Sequence, residues 1–411
     1  MPIQSTHLNI ALFGLGTVGT AFCRVLSTCA NAHASIRHIV VRNIHRPRPA
    51  DIATSLITDD ADKVFDDNDI NLVVEVIDDA DAAFGIVSRA LRRGLSVVSG
   101  NKTMIAAHLP ELISLQRSGG GALLYDASSC GSIPVIRNLE EYYDNDLLLE
   151  VRGILNGSSN YILSRVFDHG EGYGEALALA QRLGFAESDP SLDLSGIDSL
   201  NKLVIITMHA LGVYVSPAGV FAYGIQSIND NDISYALEKR AKIKLVAQVA
   251  KVAPDRFTMF VMPEFVTPDR YIYGVDNEYN GVVIRGECYD RQFMFGKGAG
   301  GSPTASSILS DVMARCHDYR YEYKKMDFAN RPTFTDDVVL HVYARYNATD
   351  VVALLPWRHI DESYRSAEYK YVIGDVALSD LYARRKDLAE ASDVFFLTSS
   401  MRTPKLLSEQ F

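Results

Sequence analysis

The sequence predicts an α/β protein: a doubly wound parallel sheet, then an α+β domain, then a small α/β appendage at the C-terminal end. Three observations carry this prediction. Residues 9–26, NIALFGLGTVGTAFCRVL, pass from an apolar run through three glycines into a helical pattern. Strand and helix signals then alternate as far as residue 128, and the strand NLVVEVI (71–77) is continuously apolar, as in a sheet covered on both faces. Beyond residue 147 that rhythm gives way to mixed strands and helices. The expected boundaries are 1–135 for the first domain, completed by about 296–325, then 136–295 for the second and 330–411 for the appendage.

The first element is the strand IALF, followed by the glycine turn and a helix carrying Val18, Phe22, Val25 and Leu26. In this arrangement Gly14 permits the turn, Gly16 lets a ligand approach the backbone, and Gly19 lets the helix lie close to the strand. Free N–H groups and the positive end of the helix dipole then favour a pyrophosphate. Gly14, Gly16, Thr17, Val18 and Gly19 are therefore candidate cofactor contacts in a Rossmann-type domain, set against a plain glycine-rich turn. SIRHIVVRN (35–43) and NLVVEVI (71–77) read as the next strands, with a helix over 80–93. LSVVSGNK (95–102), a helix near 106–117 and the strand ALLYDAS (122–128) complete the first domain.

In the second domain LLLEVRGIL (147–155) reads as a strand. Helices are expected at 172–184, 198–212 and 232–240, and strands near 219–226, 242–250, 257–266 and 281–287. GKGAGGSPTASSILSDVM (296–313) is a second glycine turn entering a helix. In the appendage, strands at 338–346, 369–378 and 393–399 enclose a helix over 379–391.

Composition narrows the function classes. The 411 residues carry 40 basic against 51 acidic side chains, a net charge of −11, which argues against sequence-independent nucleic-acid binding. No apolar segment is long enough to span a bilayer and no signal-type segment opens the chain, so the cytoplasm is the expected location. The five cysteines are scattered and lack metal-type spacing, as reduced thiols are.

A second informative region is GFAESDPSLDLSGIDSLNKLVII (184–206). Four acids, Glu187, Asp189, Asp193 and Asp198, crowd a loop leading into an amphipathic helix, where Asp198 and Lys202 share a face at i and i+4. An acidic loop with a surface ion pair would explain this, and Asp189 reads equally well as a turn residue. A site would explain it too, since carboxylates bind an ammonium group and a partly buried lysine exchanges a proton with an alkoxide.

With SGNKTMIA (99–106), GILNGSSNYILS (153–164) and GKGAGGSPTAS (296–306), this region makes residues 8–320 resemble homoserine dehydrogenase. The resemblance implies reversible hydride transfer between L-homoserine and L-aspartate 4-semialdehyde with NAD(P)H. It implies Lys202 as the general acid–base, Lys102 near nicotinamide and substrate, and Asp198 orienting Lys202 or bonding substrate. It further implies Glu187 on the substrate ammonium, Asp193 as a substrate contact, Gly157 as a point of close backbone approach, and Gly300 closing over the cofactor. A homodimer formed through the second domain follows from the same resemblance.

Two departures from that family pattern stand out. Where members carry a glutamate segment that binds sodium, this chain has DASSCGSIP (126–134). A Na⁺ or K⁺ site would then rest on Asp126 and on backbone carbonyls of Ser129, Gly131 and Ile133. The glycine pair usual after the third strand is replaced by Asp78 and Asp79. Cofactor choice turns on VVRNIHRPRP (40–49), whose Arg42, His45, Arg46 and Arg48 precede any acid; this favours NADP over NAD, if the loop is more than a solvated basic one. The tail is compatible with a reduced ACT-like regulatory module, although the turn that usually opens one is replaced by RYNATDVVALL (345–355). Competing readings are another NAD(P) oxidoreductase acting on an amino-acid-derived aldehyde, including one using Cys130 as nucleophile, and a silent nucleotide sensor.

Overall fold

The computed structural model describes residues 6–49 and 51–402. Two compact units emerge: one holds the chain up to Asp144 together with Lys297–Lys324, the other Asn145–Gly296 together with the chain from Lys325 on.

The first unit is built on six parallel strands, β1 (Leu8–Phe13), β2 (Ala34–Val40), β3 (Ile57–Thr58), β4 (Leu72–Glu75), β5 (Ser96–Ser99) and β6 (Leu123–Leu124). Their order is β3-β2-β1-β4-β5-β6, so the winding reverses beside β1. A doubly wound sheet binds ligand at the carboxyl ends of its strands at that switch point. Every residue of β4 and β5 is buried, which explains their unbroken apolar reading. The helix Lys102–Gly119 starts four residues before its apolar pattern suggests, because the Asn101 side chain caps it by accepting the N–H of Met104 at 2.9 Å. The late segment returns to this unit as helix Gly301–Arg315, packed on helix Thr17–Thr28; a Cβ on Gly301 would lie 3.1 Å from Thr17 Cγ2.

The second unit carries β7 (Leu148–Ile154), β8 (Phe221–Ala222), β9 (Lys242–Ala253), β10 (Arg256–Val266), β11 (Tyr279–Gly286), β12 (Asp290–Lys297), β13 (Thr333–Phe334), β14 (Val339–Tyr346), β15 (His359–Arg365), β16 (Lys370–Ala377) and β17 (Phe395–Arg402). The main path of its sheet runs β12-β11-β7-β9-β10-β17-β14-β16-β15, with β8 and β13 also paired to β10. Helix Ile197–Leu211 packs on β7, β9 and β10 and is buried from Asp198 to Leu211. The buried set includes Asp198, Ser199, Asn201, Lys202, Thr207 and His209, more than an apolar stripe alone would cover.

The expected separate appendage is not a separate unit. Its strands extend the same sheet, joined where Glu264 of β10 pairs in parallel with Thr398 of β17. Within it the connectivity is strand–helix–strand–strand–helix–strand in the order β17-β14-β16-β15, all neighbours antiparallel, the split βαβ arrangement. The helix expected over 379–391 is two short ones, Leu378–Ala383 and Arg385–Glu390. Strand β15 went unread because all seven of its residues are exposed, leaving no alternation. Residues 1–5 of the expected first domain and 403–411 of the appendage lie outside the described residues. No helix among the described residues is long and apolar enough to cross a membrane.

Candidate active site

The glycine turn of the first unit meets the steric demands of a nucleotide cradle. Gly14 has φ +103°, and a Cβ there would lie 2.8 Å from the Val76 carbonyl oxygen. A Cβ on Gly19 would lie 2.1 Å from the Gly14 carbonyl oxygen. At Gly16 an added Cβ would meet nothing within 4 Å, and the helix it caps has neither a capping side chain nor an acid in its first turn. Open space thus faces the N–H groups of Thr17 and Val18, as a pyrophosphate requires. Gly300, at φ +112°, caps the helix whose Gly301 packs against Thr17, so the second glycine turn adjoins the first.

The basic loop divides into two roles. Arg48 donates to the carbonyls of Leu15 at 2.7 Å and Asn43 at 3.3 Å, tying the loop back to the glycine turn. Arg42 is exposed, 3.6 Å from Asp79. Asp79 itself caps helix Ala80–Arg92 through the N–H of Ala82, which accounts for an acid where the family pattern has glycine.

Lys102 is the first residue of its helix, behind Asn101, whose amide donates to the Ile77 carbonyl at 3.0 Å. Beneath this turn lies a group the sequence reading missed. Glu75 is fully buried and accepts from Ser99 Oγ at 2.6 Å and from the N–H of Ile77 at 2.7 Å, while Ser99 Oγ accepts the Asn101 N–H at 3.1 Å. Burial pushes its carboxyl up to about 7.

In the second unit the i, i+4 spacing of Asp198 and Lys202 becomes a built cluster. Both are buried, and Lys202 Nζ donates to Asp198 Oδ2 at 2.7 Å and to the Leu155 carbonyl at 2.7 Å. Asn156, not singled out in the sequence, organises the rest: its amide donates to Asp193 Oδ1 at 2.7 Å and Asp198 Oδ2 at 2.9 Å. Its oxygen accepts the N–H of Ser159 at 2.8 Å and so caps helix Gly157–His169. The signal was present as an asparagine directly before the helical run, a residue type that favours the N-cap. Gly157 is needed because a Cβ there would lie 2.8 Å from the Glu278 carbonyl oxygen; the close approach is by the chain itself.

Glu187 is not drawn into these contacts. It is exposed on the loop before helix Ser191–Leu194, and its carbonyl accepts from Gln181. Asp189 is a turn residue whose carboxylate takes the N–H of Ser191 at 3.1 Å.

The expected cation segment is largely committed elsewhere. Asp126 Oδ1 accepts the N–H groups of Ile136 at 3.0 Å and Arg137 at 3.2 Å, capping helix Val135–Glu141, whose Pro134 cap has no side-chain acceptor. The Ile133 carbonyl accepts from Val135 N–H at 2.8 Å. Gly131, at φ +54°, leaves room for the Lys297 carbonyl, 2.6 Å from where its Cβ would stand. The hydroxyls of Ser128 and Ser129 are buried without hydrogen-bond partners among the described residues, and Asp126 Oδ1 serves as a helix cap. Cys130 is buried in the same turn and presents no exposed thiolate.

Comparison with known proteins agrees with this geometry. A family model described as homoserine dehydrogenase matches residues 134–313, and one described as homoserine dehydrogenase, NAD binding domain, matches residues 14–126. The homoserine dehydrogenase of Bacillus subtilis is 31% identical over 75% of this chain and 72% of its own length. That of Corynebacterium glutamicum is 34% identical over 74% of this chain and 71% of its own. The crystal structure of a homoserine dehydrogenase from Thiobacillus denitrificans superimposes with a TM-score of 0.79 at 26% identity, covering 96% of this chain and 98% of the other. Fold, nucleotide cradle and relatives agree: the chain belongs to the homoserine dehydrogenase family of nicotinamide-dependent oxidoreductases.

Proposed function

We propose that the chain interconverts L-homoserine and L-aspartate 4-semialdehyde, with Lys202 as the general acid–base. The observation that carries this is the hold on the lysine ammonium. Two of its three N–H bonds are taken by Asp198 and Leu155 among the described residues, which leaves one for a substrate oxygen. In the reductive direction Lys202 gives its proton to the aldehyde oxygen; in the oxidative direction it takes the hydroxyl proton. Asp198 orients the ammonium and stabilises its charge, and Asn156 fixes Asp198 and Asp193 in turn. Asp193 and Glu187 supply negative charge for the substrate ammonium.

Gly14, Gly16, Thr17, Val18, Gly19 and Gly300 would hold the nicotinamide nucleotide, which when bound accepts or gives the hydride. Lys102 would serve at the nicotinamide end and Arg42 at the ribose 2′-phosphate, so that NADP is preferred to NAD. The chemistry proposed here uses no ion at Asp126. A homodimer completes the reading, together with an ACT-like regulatory role for the C-terminal strands, supported by their split βαβ connectivity.

The test is absorbance of reduced nicotinamide with L-homoserine and NADP⁺, then NAD⁺, at alkaline pH. Homoserine-dependent reduction, faster with NADP⁺, is expected. No reduction with either nucleotide in folded protein would overturn the proposal.

A further inference from the structure

Three adjacent strands at the far end of the second unit's sheet bring a histidine and two acids together, none of them used by the chemistry above. His341 on β14 and Asp375 on β16 are direct cross-strand partners, and Asp375 is in turn opposite His359 on β15. Asp361 is the extra residue of a β-bulge between Ile360 and Glu362, the device by which a strand re-aims one side chain. It points to the same place: His341 Nδ1 lies 2.8 Å from Asp375 Oδ1 and 3.5 Å from Asp361 Oδ2. One ligand atom from each of the three lies within 4.8 Å of the others.

A histidine hydrogen-bonded to one aspartate across a sheet is ordinary. A second carboxylate delivered to the same nitrogen is not, because one Nδ1–H serves one good acceptor and the two carboxylates repel. A dication removes both difficulties. Four ligands at about 2.0–2.2 Å around a tetrahedral ion stand about 3.4 Å apart. The His341–Asp361 separation already matches this, and Asp375 needs to withdraw by only about half an ångström. His359 Nε2 lies 3.3 Å from the other oxygen of Asp361, outside the three-residue cluster. Two carboxylates neutralise the dication, and imidazole selects a borderline first-row ion over magnesium or calcium.

We propose that His341, Asp361 and Asp375 form a binding site for a divalent ion of the zinc class, with water completing its coordination. The ion ties β14, β15 and β16 together. Its structural effect falls on β15, which ends the sheet and, among the described residues, pairs only with β16.

The test titrates the chelator-treated full chain with Zn²⁺ by equilibrium dialysis, alongside Asp361→Asn and His341→Asn. Asp361 is partly exposed, so its substitution leaves folding intact. The expected result is one tight ion per chain, weakened more than about tenfold in either variant, and not displaced by excess Mg²⁺. Amide exchange along β15 should slow with Zn²⁺ in the parent chain and stay unchanged in Asp361→Asn. Equal affinity in all three proteins, or displacement by Mg²⁺, would overturn the site.

Discussion

Replacing Lys202 with methionine separates what this lysine does for the reaction from what it does for the fold. Methionine keeps most of the volume and removes the charge. The loss of a positioned general acid–base should lower kcat by about 10²–10⁴-fold. Stability also suffers, because Asp198 stays buried at 5% exposure and loses its 2.7 Å partner, while the Asn156 amide stays at 2.9 Å. Stranding one member of a buried ion pair costs about 3–5 kcal/mol. Kinetics, denaturant unfolding and NADPH binding should therefore be measured together. The prediction is a large fall in kcat, a fall in unfolding free energy of that size, and NADPH affinity close to that of the parent, since the glycine cradle belongs to the other unit. Adding Asp198→Asn removes the stranded charge, so the double variant should recover much of the stability and none of the activity. If kcat in folded Lys202→Met stayed within about tenfold of the parent, the proton-transfer role would fall.

Three further outcomes are expected. Gly16→Ala should leave stability within about 0.5 kcal/mol and weaken nucleotide binding, whereas Gly19→Ala, whose Cβ would stand 2.1 Å from the Gly14 carbonyl oxygen, should cost about 1–3 kcal/mol; the reverse pattern in unfolding and binding measurements would contradict the cradle. Arg42→Ala should reduce kcat/KM with NADP⁺ by about tenfold or more and spare NAD⁺, and equal losses would remove Arg42 from the 2′-phosphate site. Glu75 titrates at about 7 against an ordinary 4.5, so between those values the folded chain holds a proton that the unfolded chain has released. Its contribution therefore makes stability fall as pH rises across that window, by roughly 3 kcal/mol, and level off above it. Unfolding curves of Glu75→Gln should lack this component; an unchanged pH profile would refute the assignment.

What the sequence made legible, and what it did not, follows from the range of each interaction. The glycine turn announces itself by its spacing: Gly19 answers to the Gly14 carbonyl within one strand–turn–helix, although Gly14 itself answers to Val76, beyond the end of β4. Asp198 and Lys202 were likewise readable, because one helical turn brings them together wherever that helix lies. Their burial was not readable, since it depends on β7, β9 and β10 closing over the helix. Asn156 shows the same limit more sharply. Its capping of Ser159 is local, yet its contacts to Asp193 and Asp198 span 37 and 42 residues, and no periodicity records them. Asp126 sat in a motif that suggested an ion ligand, and the fold turned one oxygen of its carboxylate onto N–H groups ten and eleven residues on. In each case the side chain could be placed on an element from sequence, while the donor facing it was set by the packing of elements far apart in the chain. Assigning a role to a polar residue therefore requires its partner, and for Glu75, Asn156 and Asp126 that partner is a product of the tertiary fold.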